Sequence, residues 1–165
     1  MPLRLAVYFN SLIAEIHKKS MSYKYLEHST DAFIEVRAKN LEEAFSVAGK
    51  SVVETIIDSN NIQEIEEKNV KVKGRNLLNL LYNWLEEIVT ITITDGFAIR
   101  NFSVNIKKNK EYQIISNISG EKLDIKKHNF KVEIKSPTFH LMEIEENDET
   151  FGKLSKVTMR YLLDL

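Results

Sequence analysis

From the Asp95-Gly96 pair to its last residue, the chain keeps almost entirely to a two-residue alternation of apolar and polar side chains. That period belongs to strands with one buried face. A run of such strands with no helical stripe between them points to antiparallel hairpins. FAIRNFSVNI and EYQIISNIS flank a polar turn at Lys107 to Lys110 and predict one hairpin. TFHLMEIE and LSKVTMRYLLDL flank ENDETFGK and predict another. Between them Phe130, Val132 and Ile134 alternate with Lys131, Glu133 and Lys135, as a further strand would.

The first half reads differently. Ile34, Val36 and Ala38 share one face of a strand whose other face carries Phe33, Glu35 and Arg37. Asn40 with Glu43 three residues on resembles a capping box. The helix it opens carries Leu41, Ala44, Phe45, Ala48, Val52 and Ile56 along one stripe and should end near Asp58, at DSNN. The charged EIEEKNVKVKGR reads as a connection in which Val70 and Val72 make a short strand closed by Gly74. A second amphipathic helix follows with Leu77, Leu81, Trp84, Leu85 and Ile88, and Trp84 is expected in the core. The β-branched IVTITIT blurs its end near Val89. This order, β-α-β-α and then a run of strands, predicts an α+β fold: two amphipathic helices packed on a largely antiparallel or mixed β-sheet.

The 165 residues fit one domain, assigned to 21–165. Residues 1–20 stand apart as an extension. There Leu5, Phe9, Leu12, Ile13 and Ile16 share a helical face. A short amphipathic helix, an extension packed on the domain and a segment that is not natively translated all remain open. Arg4 and the apolar start resemble a signal peptide, but Asn10, Ser11 and Glu15 interrupt the apolar region and no small-residue cleavage site follows.

Charge and composition narrow the function. The 23 basic and 24 acidic residues leave a net charge of −1, which disfavours autonomous nucleic-acid binding, although a local patch escapes that average. The absence of cysteine removes disulfides, zinc–thiolate sites and thiol nucleophiles, and fits a cytoplasmic protein. No apolar run is long enough to span a bilayer. There is no glycine-rich phosphate loop, no nucleophile elbow and no metal-ligand spacing among His17, His28, His128 and His140.

Two aspartates remain. Parity places Asp31 with Phe33, Glu35 and Arg37, and Asp164 with Lys156, Thr158, Arg160 and Leu162. If the two strands are antiparallel neighbours, Asp31 and Asp164 meet at one end of the sheet, beside the carboxylate at Leu165. Such a cluster needs a proton or a cation to neutralise it, and oxygen donors suit Ca²⁺, Mg²⁺ or Mn²⁺. The same residues also fit a plainer role, with Asp31 as an Asx-type turn residue and Asp164 solvated near the terminus. KSPTFH leaves a comparable choice: Lys135 and His140 contact a partner or a phosphate, or the segment is a bulge that tolerates Pro137.

Taken together, these residues resemble the archease family. YKYLEHSTDAFIEVRAKNLEEAF is similar to the family's Tyr-x-Tyr-Leu-x-His-Thr-Ala-Asp strand followed by Thr-Leu-Glu-Glu-Ala-Phe. LLNLLYNWLEEI, VEIKSPTFH and the closing YLLDL continue the resemblance over residues 23–165. Thr30 replaces the family's usual alanine, HNFKVEIK lacks a glycine often found before Glu-Val-Lys, and Leu165 replaces an isoleucine. The resemblance implies a non-catalytic accessory protein of the RNA-splicing ligase that joins a 2′,3′-cyclic-phosphate or 3′-phosphate end to a 5′-hydroxyl end. The role implied is to promote the ligase's guanylylation and repeated turnover in tRNA splicing, reaching tRNA only through the ligase. It also implies a divalent-metal site, with calcium the ion most expected, formed by Asp31, Asp164 and Leu165. Two other readings stay open: a chaperone-like modulator of tRNA-modifying enzymes such as tRNA methyltransferases, and a metal-dependent hydrolase with no evident general base.

Overall fold

In the computed structural model, residues 22–28, 30–147 and 156–165 are described. The predicted extension at 1–20 and the tip of the second hairpin lie outside them.

Asn40 starts the first helix as expected, its side chain accepting the Glu43 N–H at 2.9 Å. Glu43 closes the box on the Lys39 N–H rather than on Asn40 itself. The helix α1 (Leu41–Ile56) and a second, α2 (Leu77–Val89), are the two predicted ones. Around them run β1 (Ser22–Leu26), β2 (Ala32–Ala38), β3 (Glu66–Gly74), β4 (Phe97–Lys108), β5 (Tyr112–Lys122), β6 (Ser136–Glu146) and β7 (Val157–Asp164). The strands form two sheets rather than one, in the orders β1-β2-β7-β6 and β3-β5-β4. Every pairing among them is antiparallel. Each helix touches both sheets: α1 packs on β2 and β4, α2 on β3 and β6.

Several local expectations are corrected. The stretch from Tyr23 to Asp31 does not lead directly into one strand; β1 pairs back on β2, and His28, Thr30 and Asp31 lie outside both strands. β3 begins at Glu66, inside what reads as a charged connection, because alternate exposure lets Val70 and Val72 face inward while Lys71 and Lys73 face water. The Thr90–Thr94 segment, β-branched as it is, continues α2 as a π-helical turn whose Asp95 N–H returns to Thr90 O. Residues 130–135 form no strand. Their backbone is held by scattered bonds instead, Lys131 N–H to Ile56 O and Lys135 N–H to Asp164 O. Pro137 is not a break between strands but the second residue of β6, opposite Leu163.

Trp84 is fully buried, donating its indole N–H to Phe45 O at 2.8 Å and meeting Phe102 edge-on. Three tyrosines fasten the first sheet to α1. Tyr161 shares a 2.6 Å hydrogen bond with Ser51, Tyr25 pairs with Thr55, and Tyr23 donates to Glu54. Burial pushes the Tyr161 hydroxyl up from its ordinary pKa, so it stays a neutral partner.

The opposite face of that sheet carries one rung of charge across four strands. Lys24 on β1 pairs with Glu35 on β2 at 3.1 Å, Arg160 on β7 with Glu35 at 2.8 Å, and Arg160 with Glu143 on β6 at 2.8 Å. These residues are direct cross-strand partners. Glu35 is only 4% exposed. Burial opposes its ionisation, yet hydrogen bonds from Arg160 and Lys24, with Arg37 alongside, bring its pKa down from 4.5 to about 2. A lowered folded-state value means a stabilisation complete above about 4.5 and lost as pH falls toward 2. Glu35→Gln is expected to cost about 2–3 kcal/mol in urea unfolding at pH 7. The gap from wild type should narrow at pH 3; an equal gap at both pH values would contradict this account.

Candidate metal centre

The charged rung fixes the register of β2 against β7, and the register continues to the end of both strands. Ala32 is opposite Leu163. That is the last β2–β7 pair: Asp31 lies one residue before β2 and Asp164 one residue after Leu163, so the same register carried one step further would bring the two together on the face that carries Glu35 and Arg160. From the other side β6 closes on the same point: Ser136 pairs with Asp164, and the Lys135 N–H donates to Asp164 O at 2.8 Å. The last residue of β7 is therefore held by β6, while the ladder with β2 ends one residue earlier, at Leu163. Leu165 follows with its side chain packed against the core, which holds the chain end beside Asp164.

Asp31 sits in the short connection before β2, where its Oδ2 lies 3.5 Å from His28 Nδ1. The His28 ring meets Phe33 edge-on, which orients the imidazole toward that connection. Among the described residues, neither Asp31 nor Asp164 has an ion pair with lysine or arginine. Two carboxylates brought together there without a basic residue between them would repel. Among the same residues no three His, Cys, Asp or Glu side chains come together as a metal cage. A cation at this point would need Asp31, Asp164 and an oxygen of Leu165, with water completing the shell. That donor set is all oxygen and anionic, and fits a hard divalent ion.

Lys135 stands next to this end of the sheet, its side chain exposed. His140 does not join it. It lies five residues along, in an irregular stretch of β6 where its N–H bonds Thr138 Oγ1 at 3.1 Å. What carries the chain to Lys135 was not foreseen from sequence. His128 is fully buried; its Nδ1 accepts the Asp124 N–H at 3.0 Å and its Nε2 meets Glu121 Oε1 at 3.1 Å. Glu121 also binds Lys127 and the Gln63 N–H, and these bonds, Lys127's first, bring its carboxyl down to about 2. Asn129 follows at φ 48°, a left-handed position that asparagine tolerates. This clasp turns the segment back under α1 and delivers Lys135 to β7. Ser136, opposite Asp164, was likewise missed, because nothing in the spacing marks a serine at a strand start as a site residue.

Two helices packed on antiparallel sheets, with Asp31 and Asp164 toward the end where β2 meets β7, define a small α+β protein. The model of the Archease protein family (MTH1598/TM1083) matches residues 23–165. The chain belongs to the archease family. It is 38% identical over 125 residues to protein archease of Pyrococcus abyssi, covering 75% of this chain and 88% of that one. Protein archease of Pyrobaculum islandicum is 34% identical over 133 residues, covering 79% and 90%. The solution structure of Methanobacterium thermoautotrophicum protein 1598 aligns with a TM-score of 0.69 at 27% identity, over 87% of this chain and 98% of that one. A crystal structure of an archease, possible chaperone, from Thermotoga maritima shares the fold at TM-score 0.53 and 19% identity, over 86% and 96%.

If the aspartates repel, neutralising one should help the metal-free protein. Asp164→Asn is expected to raise its stability in EDTA by about 0.5 kcal/mol, and to remove any rise in melting temperature caused by added Ca²⁺. A variant less stable than wild type in EDTA would show that Asp164 is already satisfied.

Proposed function

We propose that this chain is a non-catalytic accessory protein of the RNA-splicing ligase that seals 3′-phosphate and 5′-hydroxyl ends in tRNA splicing, where it promotes guanylylation from GTP and repeated turnover. The observation that carries the reading is the antiparallel β2–β7 ladder, which runs to Ala32 opposite Leu163 and leaves Asp31 and Asp164 next in line, neither paired with lysine or arginine among the described residues. Membership of the archease family supports it.

Asp31 and Asp164 would hold a divalent ion, calcium, magnesium or manganese, with a backbone or terminal oxygen of Leu165. The bound ion supplies positive charge that offsets the carboxylates and can be shared with acidic or phosphate oxygens on a partner. The chain's own residues do the placing. β6 holds Asp164 through Ser136 and the Lys135 N–H, His28 lies beside Asp31, and Lys135 adds a cation at the rim that suits a phosphate or an acidic side chain. The partner is a protein, and tRNA is met through it. Among the described residues no helix is long and apolar enough to cross a membrane.

The test is ligase turnover with GTP and divalent metal, with and without this protein. Stimulation is expected with wild type and should be abolished by Asp31→Ala, while that variant melts in EDTA no lower than wild type. Extension of the chain past Leu165 should weaken both metal binding and stimulation. Full stimulation by Asp31→Ala, with ligase guanylylation unchanged, would refute the role.

A further inference from the structure

β6 loses its ladder with β7 between Thr138 and Glu143. Inside the break Leu141 adopts φ 58°, a conformation that costs a leucine about 1–2 kcal/mol. The irregular stretch leaves Phe139 52% exposed. One face of the ring lies flat on Tyr82 of α2, with centroids 4.4 Å apart and planes 10° from parallel. A stacked aromatic pair of this kind normally belongs to a core. Here half of the outer ring is left to solvent.

Tyr82 and Phe139 line a cleft of about 440 Å³, whose other walls include Lys73, Arg75, Asn79 and Glu111. That volume is in the range of small-ligand sites. Lys73 is paired with Glu111 at 3.1 Å. Arg75 donates its Nε–H to Asn79 Oδ1 at 3.3 Å, which steadies the side chain, and among the described residues no carboxylate pairs with its guanidinium. An exposed π-face beside an uncommitted guanidinium is the recognition chemistry of a nucleotide: the base stacks and the phosphate takes the N–H fork.

We propose that this cleft binds a nucleotide, its base on the open face of Phe139 and its phosphate on Arg75, with Lys73 supplementing the charge. The ligand is either a free nucleotide or an unpaired nucleotide of an RNA strand; both offer a ring and a phosphate. The site requires neither a metal nor the carboxylates. It lies about 10 Å along β6 from Ser136, the partner of Asp164. With a net charge of −1 the chain has no long-range pull on RNA. Affinity therefore rests on the stack and one or two phosphate contacts.

The probes are guanosine, guanosine 5′-monophosphate and fluorescein-labelled decauridylate, added to the full chain in EDTA without ligase. Calorimetry reads the first two and anisotropy the third. The monophosphate, the oligonucleotide or both are expected to bind, and Phe139→Ala should weaken that binding about tenfold or more. Arg75→Gln should weaken the phosphorylated probes, lower the salt dependence by about one ion, and leave guanosine unchanged. Binding of the monophosphate assigns a free nucleotide, and binding of the oligonucleotide alone assigns an RNA strand. Both substitutions are at the surface, so unchanged melting temperatures confirm the fold. Absence of binding by both phosphorylated probes at millimolar concentration, or equal binding by wild type and Phe139→Ala, would overturn the proposal. Asp31→Ala should bind these probes normally, which separates this site from the carboxylate site.

Discussion

The rung Lys24–Glu35–Arg160–Glu143 is the interaction on which the placement of the site depends. It joins residues as far apart as 125 positions in the chain and ties all four strands of one sheet at the same level. Exposed ion pairs add little to stability, but this rung is centred on a buried carboxylate that three basic groups share. A slip of β7 by one residue would turn Arg160 toward the core and Leu163 out of it. Charge on one face and Ile34, Val36, Met159 and Tyr161 on the other therefore specify the same register. Its last pair is Ala32 with Leu163, which leaves Asp31 and Asp164 as the next residues at that end of the sheet.

The site follows from this alignment and from the clamp that β6 adds. A terminal strand held on one side only would fray. β7 is central in its sheet, with β2 paired as far as Leu163 on one side and β6 paired at Leu162 to Asp164 on the other. The clasp of His128 and Glu121 serves the same end by steering an irregular segment to Lys135. A rigid end presenting two carboxylates without lysine or arginine partners suits an ion shared with another molecule.

Much of this could be read from the sequence, and the reasons are local. Both helices were visible because each repeats apolar residues at helical spacing, the first behind the Asn40 cap, and Trp84 was in its core as its stripe requires. Parity alone put Asp31 and Asp164 on the less apolar faces of their strands, and β2 and β7 are the antiparallel neighbours that this argument required, with a ladder that stops one residue short of Asp31. What was not legible was non-local. The split into two sheets depends on which hairpins find which neighbours, and period-two patterns carry no partner information. Residues 130–135 alternate as a strand does, yet their bonding partners are Ile56 and Asp164, far away in sequence. The TITIT segment is β-branched, but packing against the helix it continues overrides that preference. Phe139 and Tyr82 looked like ordinary strand and helix residues until an irregular stretch of β6 stacked one on the other.

The central claim, that strand register builds a divalent-ion site from Asp31, Asp164 and Leu165, is tested most directly by locating the ion. Crystals grown with Mn²⁺ should give an anomalous peak about 2.0–2.6 Å from oxygens of both aspartates and of Leu165. A saturating ion bound elsewhere, with Asp31 and Asp164 left without one, would contradict the account.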